Sequence, residues 1–298
     1  MFKMIQINRK NISHCVPLYA SCLIFILTSC KSDIKEVNQN ASNNANSYEN
    51  YVSYYKTIPD NEAGKITKTA ITKAGGWETW VSKKAIKYER INISYDSITG
   101  DTSRIVREVH EYNLFPTFKG KMTWKNKDKN IVVLFDGLRA VKIENGVVLD
   151  DEKSRSEARN NIFGSLYLIG LPFKMSDPGS VYNDMPPTTL ANGKTTKVVK
   201  ITYQEGAGSF ALYHKWYYYF DPQTYQLAAT LLDHGKGFGL NEYSEFIEVG
   251  GLKLQTRRDR YDSNPKGERL LHTNTYLKEN IQFIEAFPDT HFEIPKTE

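Results

Sequence analysis

Beyond position 30 the 298-residue sequence has no cysteine. That excludes disulfides, zinc–thiolate and iron–sulfur centres and cysteine nucleophiles from everything downstream, and leaves an ordinary hydrophobic core as the source of stability. No long apolar run is present either. The most apolar stretch, Val16 to Leu27, is broken by Pro17 and Ser21 and falls short of the about 20 residues that span a bilayer. Charge of one sign is also lacking. There are 39 Lys and Arg against 34 Asp and Glu, and three of the basic residues are Lys3, Arg9 and Lys10, so the remainder is nearly neutral and gives no electrostatic case for nucleic acid. The sequence has no Gly-x-Ser-x-Gly elbow, phosphate-binding loop or dinucleotide fingerprint. His110, His214, His234, His272 and His291 never stand two or four apart, so their spacing does not join them into a metal site. No cofactor and no enzymatic activity are expected; a polar site would have to assemble from distant residues.

The N-terminus combines Lys3, Arg9 and Lys10, no acid before Asp33, and the apolar stretch, which is the layout of an export signal. It ends in Leu27-Thr28-Ser29-Cys30, which resembles the lipobox of bacterial lipoproteins: a branched apolar residue, two small ones, and the cysteine that takes the lipid. Residues 1–29 are then a removable signal and Cys30 the lipidated first residue of the mature chain. One acyl chain anchors only marginally, at about 0.8 kcal/mol per buried CH₂; lipoproteins of this type carry two or three. Lys31 stands where an inner-membrane retention signal would place Asp, so the resemblance implies the outer membrane. From 30 to 58 the chain is rich in Asn, Ser and Ala and reads as a flexible tether.

The folded domain is expected over 59–298. Asp60 is placed to cap a helix bearing Ile66, Ala70 and Ala74, which Gly75-Gly76 would stop. Trp77 and Trp80 follow on a short turn, three residues apart and so on one side. Beyond Lys84 the period is two: Ile91, Ile93 and Tyr95 alternate with Asn92, Ser94 and Asp96, and Phe118, Met122 and Trp124 with polar neighbours. About ten antiparallel strands result, separated by Asp136-Gly137, Asn145-Gly146, Asp221-Pro222 and Gly250-Gly251 turns, and a sheet that large must curl or close. Gly206-Ala207-Gly208-Ser209 and Gly235-Lys236-Gly237-Phe238-Gly239 read as hairpin turns. One helix interrupts the strands, with Ser154 and Glu157 as a capping box and Ala158, Ile162, Leu166 and Ile169 as its apolar stripe; Asp150 and Asp151 before it suit the helix dipole. Pro172 to Lys194 reads as a long functional loop. Asp177, Pro178 and Gly179 form its turn, and Leu171, Phe173 and Met175 are its apolar members beside the cavity. In Trp216-Tyr217-Tyr218-Tyr219-Phe220, the first, third and fifth side chains face one way.

The order of these elements resembles the lipoprotein-carrier fold of the LolA and LolB type. Gly170-Leu171-Pro172-Phe173-Lys174-Met175-Ser176-Asp177-Pro178-Gly179, Ala74-Gly75-Gly76-Trp77 and Val249-Gly250-Gly251-Leu252 are similar to a family of Bacteroidota envelope lipoproteins assigned to that fold. The resemblance implies an α+β domain: a strongly curved antiparallel half-barrel whose concave face is covered by helices and holds acyl chains. Trp77, Trp80, Leu171, Phe173, Met175, Trp216, Tyr218 and Phe220 are the candidate cavity or lid residues. Arg104, Arg107 and Arg139 are candidates for the arginine that holds a carrier's lid closed. The implied function is a non-enzymatic outer-membrane lipoprotein binding a lipid or lipoprotein acyl chain, held at the membrane through Cys30. Two alternatives stand beside it: an interaction module with a filled core that binds an envelope protein or a glycan, and a hydrolase of envelope polymers.

Replacing Cys30 by Ala is expected to abolish lipid attachment, leaving an unprocessed or soluble product. Membrane fractionation after a high-salt wash checks this, and a processed variant that still sediments with membranes would contradict it.

Overall fold

The computed structural model describes residues 54–204 and 214–295; the expected signal, Cys30, nearly all of the expected tether and the expected Gly206–Ser209 turn lie outside them. Helix α1, Glu62–Lys73, is capped by Asn61 and not Asp60: Asn61 has extended backbone and its side-chain oxygen accepts from the Gly64 N–H at 2.9 Å. Asp60 instead pairs with Lys68 at 2.8 Å. Gly75 and Gly76 end the helix at φ 113° and 92°, and α2, Trp77–Val81, follows at once. A Cβ on Gly75 would lie 2.1 Å from the Gly251 carbonyl oxygen, while the Lys253 N–H donates to the Ala74 carbonyl at 2.9 Å. The two Gly-Gly motifs, distant in sequence, are thus one backbone-to-backbone contact that admits no side chain.

Thirteen described strands form one antiparallel sheet: β1 Ala85–Tyr95, β2 Thr102–Asn113, β3 Lys119–Asn126, β4 Lys129–Phe135, β5 Ala140–Glu144, β6 Val147–Leu149, β7 Ser180–Thr189, β8 Thr195–Tyr203, β9 Lys215–Phe220, β10 Leu227–Asp233, β11 Phe238–Val249, β12 Leu252–Ser263 and β13 Arg269–Ile284. Their order is β6-β5-β4-β3-β2-β1-β13-β12-β11-β10-β9-β8-β7, open at both ends. Two meanders are therefore joined in the middle by the pairing of the first strand with the last. The sheet forks beside that joint. Described pairing of β12 with β13 runs only from Arg257↔Leu277 to Ser263↔Arg269; Leu252 to Gln255 pair with β11 and Lys278 to Ile284 with β1.

Between β6 and β7 runs α3, Glu152–Ile169. Its cap is Asp151: Oδ1 accepts from the Ser154 N–H at 2.9 Å and Oδ2 from the Ser154 hydroxyl at 2.6 Å. The capping box expected from Ser154 and Glu157 is not formed, because Glu157 pairs with Lys142 of β5 at 3.0 Å. The expected stripe is correct, with Ala158, Ile162, Leu166 and Ile169 all buried. Gly120 of β3 lets the helix in, since a Cβ there would meet the Tyr112 ring at 2.8 Å and Ile162 at 3.1 Å.

This helix also fixes the form of the sheet. Phe163 packs edge-on against Phe135 of β4, centroids 5.0 Å apart, while Tyr167, one turn later, meets Trp216 of β9 at 5.0 Å. Strands β4 and β9 are eight positions apart in the order, about 38 Å in a flat sheet at its usual strand spacing, whereas four helical residues advance about 6 Å. Only a curved sheet brings both strands within reach.

The long loop expected from Pro172 to Lys194 contains a ten-residue strand. A 3₁₀ turn, Phe173–Ser176, is followed directly by β7. Its Pro186 and Pro187 sit at a register break between Met185 and Thr188. β7 is the last strand of the sheet, where a missing N–H donor is tolerated. Asp151→Ala should lower the denaturation midpoint by loss of the cap; chemical denaturation measures it, and an unchanged midpoint would show that the cap contributes nothing.

Candidate functional site

All eight residues expected to line a cavity are buried, and they divide between two clusters. Trp77, Trp80 and Phe173 belong to one, with Tyr88, Tyr112, Phe118 and Phe135; Leu171, Met175, Trp216, Tyr218 and Phe220 belong to the other, with Ala63, Ile66, Ala70 and Tyr167. Phe173 was expected at a lip. It is 0% exposed and stacks on Trp80 at 5.0 Å and 4°, so it fills the core, because the 3₁₀ turn carries it inward. Trp216 and Tyr218 stack at 6.0 Å, and the hydroxyls of Tyr167, Tyr203 and Tyr218 hydrogen-bond to one another. On the opposite face Tyr219, with Tyr217 packed against it, joins a separate small cluster with Leu190, Val198 and Leu231, so the aromatic strand is used on both sides. The turn at Asp177, Pro178 and Gly179 has the expected form: Asp177 is extended, at φ −58° and ψ 156°, and Gly179 has φ 74°. Buried Lys174 pairs with Asp177 at 2.7 Å, which ties the turn to the preceding helical segment.

A cleft opens beside this core, at the seam where α1 and the Leu171-Pro172 segment meet β10, β11 and β12. Ala70, Ala74, Leu171, Pro172, Leu227 and Phe246 supply apolar lining, Lys73 and Lys253 stand among them, and no carboxylate contributes. Its cavity volume is about 40 Å³, against about 300–1,000 Å³ for ordinary small-molecule pockets. A second, open groove of about 520 Å³ lies at the fork, lined by Glu245, Phe246, Ile247, Thr256, Leu277, Lys278 and Glu279.

Between the two apolar clusters, on the face of the sheet that carries α3, runs a buried polar row that sequence patterning did not reveal. Arg90 of β1 donates to Glu108 of β2 through Nε at 2.9 Å and again through a second nitrogen, and to the Ser165 hydroxyl of α3 at 3.1 Å. His110 meets the same Glu108 oxygen through Nε2 at 3.0 Å and the Tyr112 hydroxyl through Nδ1 at 2.8 Å. On β13, Lys278 donates to the Gln255 backbone carbonyl at 3.3 Å and to its side-chain oxygen, while the Gln255 amide donates to the Leu168 carbonyl of α3 at 2.7 Å. Arg258 of β12 stacks over Tyr276 at 4.0 Å. Arg104, Arg107 and Arg139, the arginines considered from sequence, are all exposed; Arg107 pairs with Glu279 at 3.4 Å. Alternation along β2 was the available signal, since Glu108, His110 and Tyr112 share one face.

Electrostatics follow from burial. Burial first, and then the Arg90 charge, push His110 down to about 4, so it is neutral near pH 7, with Nε2–H donating to Glu108 and Nδ1 accepting from Tyr112. Burial opposes the charge of Glu108, but Arg90 and His110 outweigh it and hold the carboxyl below its ordinary range. Burial, with Arg258 and Arg90 nearby, drives Lys278 well below the ordinary lysine value.

These shifts make stability pH-dependent. His110 titrates near 6.5 when unfolded and at about 4 when folded, so the unfolded chain binds the extra proton between those values and stability falls as pH drops through that window. The full loss is about 3 kcal/mol. Denaturation from pH 7 to pH 4 should show this slope in the wild type and a flatter one in His110→Gln; equal slopes would remove His110 from the account.

Residues 137–248 match a family of unknown function, DUF6503, a span that includes α3 and the Gly170–Gly179 motif. No curated protein matches the chain. Among solved structures, a DUF1329 family protein from Desulfovibrio piger is 10% identical and superimposes with a TM-score of 0.50 over 78% of this chain and 97% of that one. A LolA superfamily protein from Nitrosomonas europaea is also 10% identical, with a TM-score of 0.49 over 76% of this chain and 97% of that one. At such identity the likeness to the Desulfovibrio protein is one of fold alone.

Proposed function

We propose that this chain is a non-enzymatic, lipid-anchored protein of the outer membrane whose half-barrel, with its helices on the concave side, binds a hydrophobic ligand, a lipid or an acyl chain. The observation that carries the reading is the apolar seam at Ala70, Ala74, Leu171, Pro172, Leu227 and Phe246. It runs where the helix layer meets the sheet, and it leads toward Trp216, Tyr218 and Phe220. Its present volume holds no acyl chain, so binding requires α1 and the Leu171-Pro172 segment to move off β10 and β11. The ligand then replaces contacts that the core makes with itself.

A filled-core interaction module is the second reading, favoured by the complete burial of all eight candidate residues. The two differ in solution. A fluorescent fatty-acid probe should bind the wild type saturably, and Phe246→Asp, which places a charge in the half-exposed wall of the seam, should weaken that binding by about tenfold or more. Absence of saturable binding in the wild type would overturn the ligand reading in favour of the interaction module.

A further inference from the structure

The buried row of the sheet holds more basic side chains than acidic ones. Arg90, Arg258 and Lys278 share one face, and the single buried carboxylate beside them among the described residues, Glu108, is already taken by Arg90 and His110. Arg258 is 6% exposed. Among the described residues its Nε has no hydrogen-bond partner, and no carboxylate among them lies within ion-pair reach of its guanidinium. The acids on adjacent strands are committed elsewhere: Asp259 to Arg257 at 3.1 Å and Glu242 to Arg269. Glu245 and Glu279 line the groove at the fork. Arg260, two residues beyond Arg258 on the same face, is exposed, so the row is cationic out to solvent at its uncovered end. Asn241, whose strand pairs with β12 at Arg260, is buried with its side-chain oxygen also unpartnered.

A guanidinium taken from water without an acceptor is strongly disfavoured, and adjacent like charges add to the cost. A planar fork of N–H donors is matched by the paired oxygens of a carboxylate or phosphate. We propose that Arg258, with Arg90 and Lys278 beside it and Arg260 at the entrance, forms a binding site for an oxyanion, a carboxylate or a phosphate monoester, on the α3 side of the sheet. A hydroxyl next to the anionic group would meet the Asn241 oxygen. Tyr276, stacked under Arg258, holds the guanidinium plane so that its N–H edge stays free for the ligand. The site does not depend on the apolar-ligand reading, because the anion is either the headgroup of a lipid or a small free anion.

The test titrates the full chain with inorganic phosphate at constant ionic strength, reading the thermal midpoint and the side-chain Nε–H resonance of Arg258. The midpoint should rise relative to chloride and the resonance should move saturably. Arg258→Met should weaken phosphate binding by about tenfold or more, as loss of a charge-assisted pair does, while Arg104→Met on the exposed part of β2 should leave it unchanged. If Arg258→Met fails to fold, the wild-type resonance decides alone: a stationary signal at saturating phosphate overturns the proposal even if the midpoint rises. Comparing glycerol 3-phosphate with 1-acyl-glycerol 3-phosphate assigns the source. Tighter binding of the acylated form supports the site as a lipid-headgroup site, and equal binding supports it as a site for a free anion. A neutral monoacylglycerol that binds while phosphate has no effect would uphold the apolar-ligand reading and overturn this one.

Discussion

The contacts of α3 with strands far apart in the sheet govern the rest of the structure. Phe163 meets Phe135 and Tyr167 meets Trp216 within one helical turn, which requires the sheet to curve and brings its two meanders toward each other. The apolar clusters then form on either side of that helix, one built largely on β1 to β5 and the other on β8 to β11. The Gly120 gap and the Gly75–Gly251 contact are local conditions of the same closure, since a side chain at either place would hold a helix away from the sheet.

Along the middle of the bend the helix is held by polar groups. Arg90 reaches Ser165, and Gln255 reaches the Leu168 carbonyl. Such contacts are directional, whereas apolar packing is not, so they set the rotation of α3 and with it which of its side chains face each cluster. Their cost is buried charge, and that cost is why stability is tied to pH through His110.

Much of this was legible in the sequence, for stated physical reasons. The glycine pair that stops α1, the apolar stripe of α3, the two-faced aromatic strand β9 and the extended Asp177 each follow from local periodicity or backbone restriction. Capping was misassigned at both helices because the neighbouring acceptors Asp60 and Asn61, or Asp151 and Ser154, satisfy the same local rule. β7 was read as a loop because two prolines argue against a strand, and only the sheet order shows that they lie at an edge. The polar row was invisible for a deeper reason. On β1 the apolar alternation Ile91, Ile93 and Tyr95 marks the face away from α3, while Arg90 turns inward. Patterning assigns charge to water, so a strand that reverses the rule is read inside out. Such reversals concentrate where a protein gives up stability for a task, and this one coincides with Arg258, whose Nε has no hydrogen-bond partner among the described residues.

Among the described residues the sheet has two unpaired edges, and their sequences have a consequence for life at high local density. β6 is three residues long, and β7 carries Pro186, Pro187 and a register break. An incoming strand therefore finds one edge too short to template it and the other lacking consecutive N–H donors. Copies at high local concentration meet edge to edge far more often than molecules in dilute solution. An open sheet with these edges can be packed densely without polymerising into its neighbours.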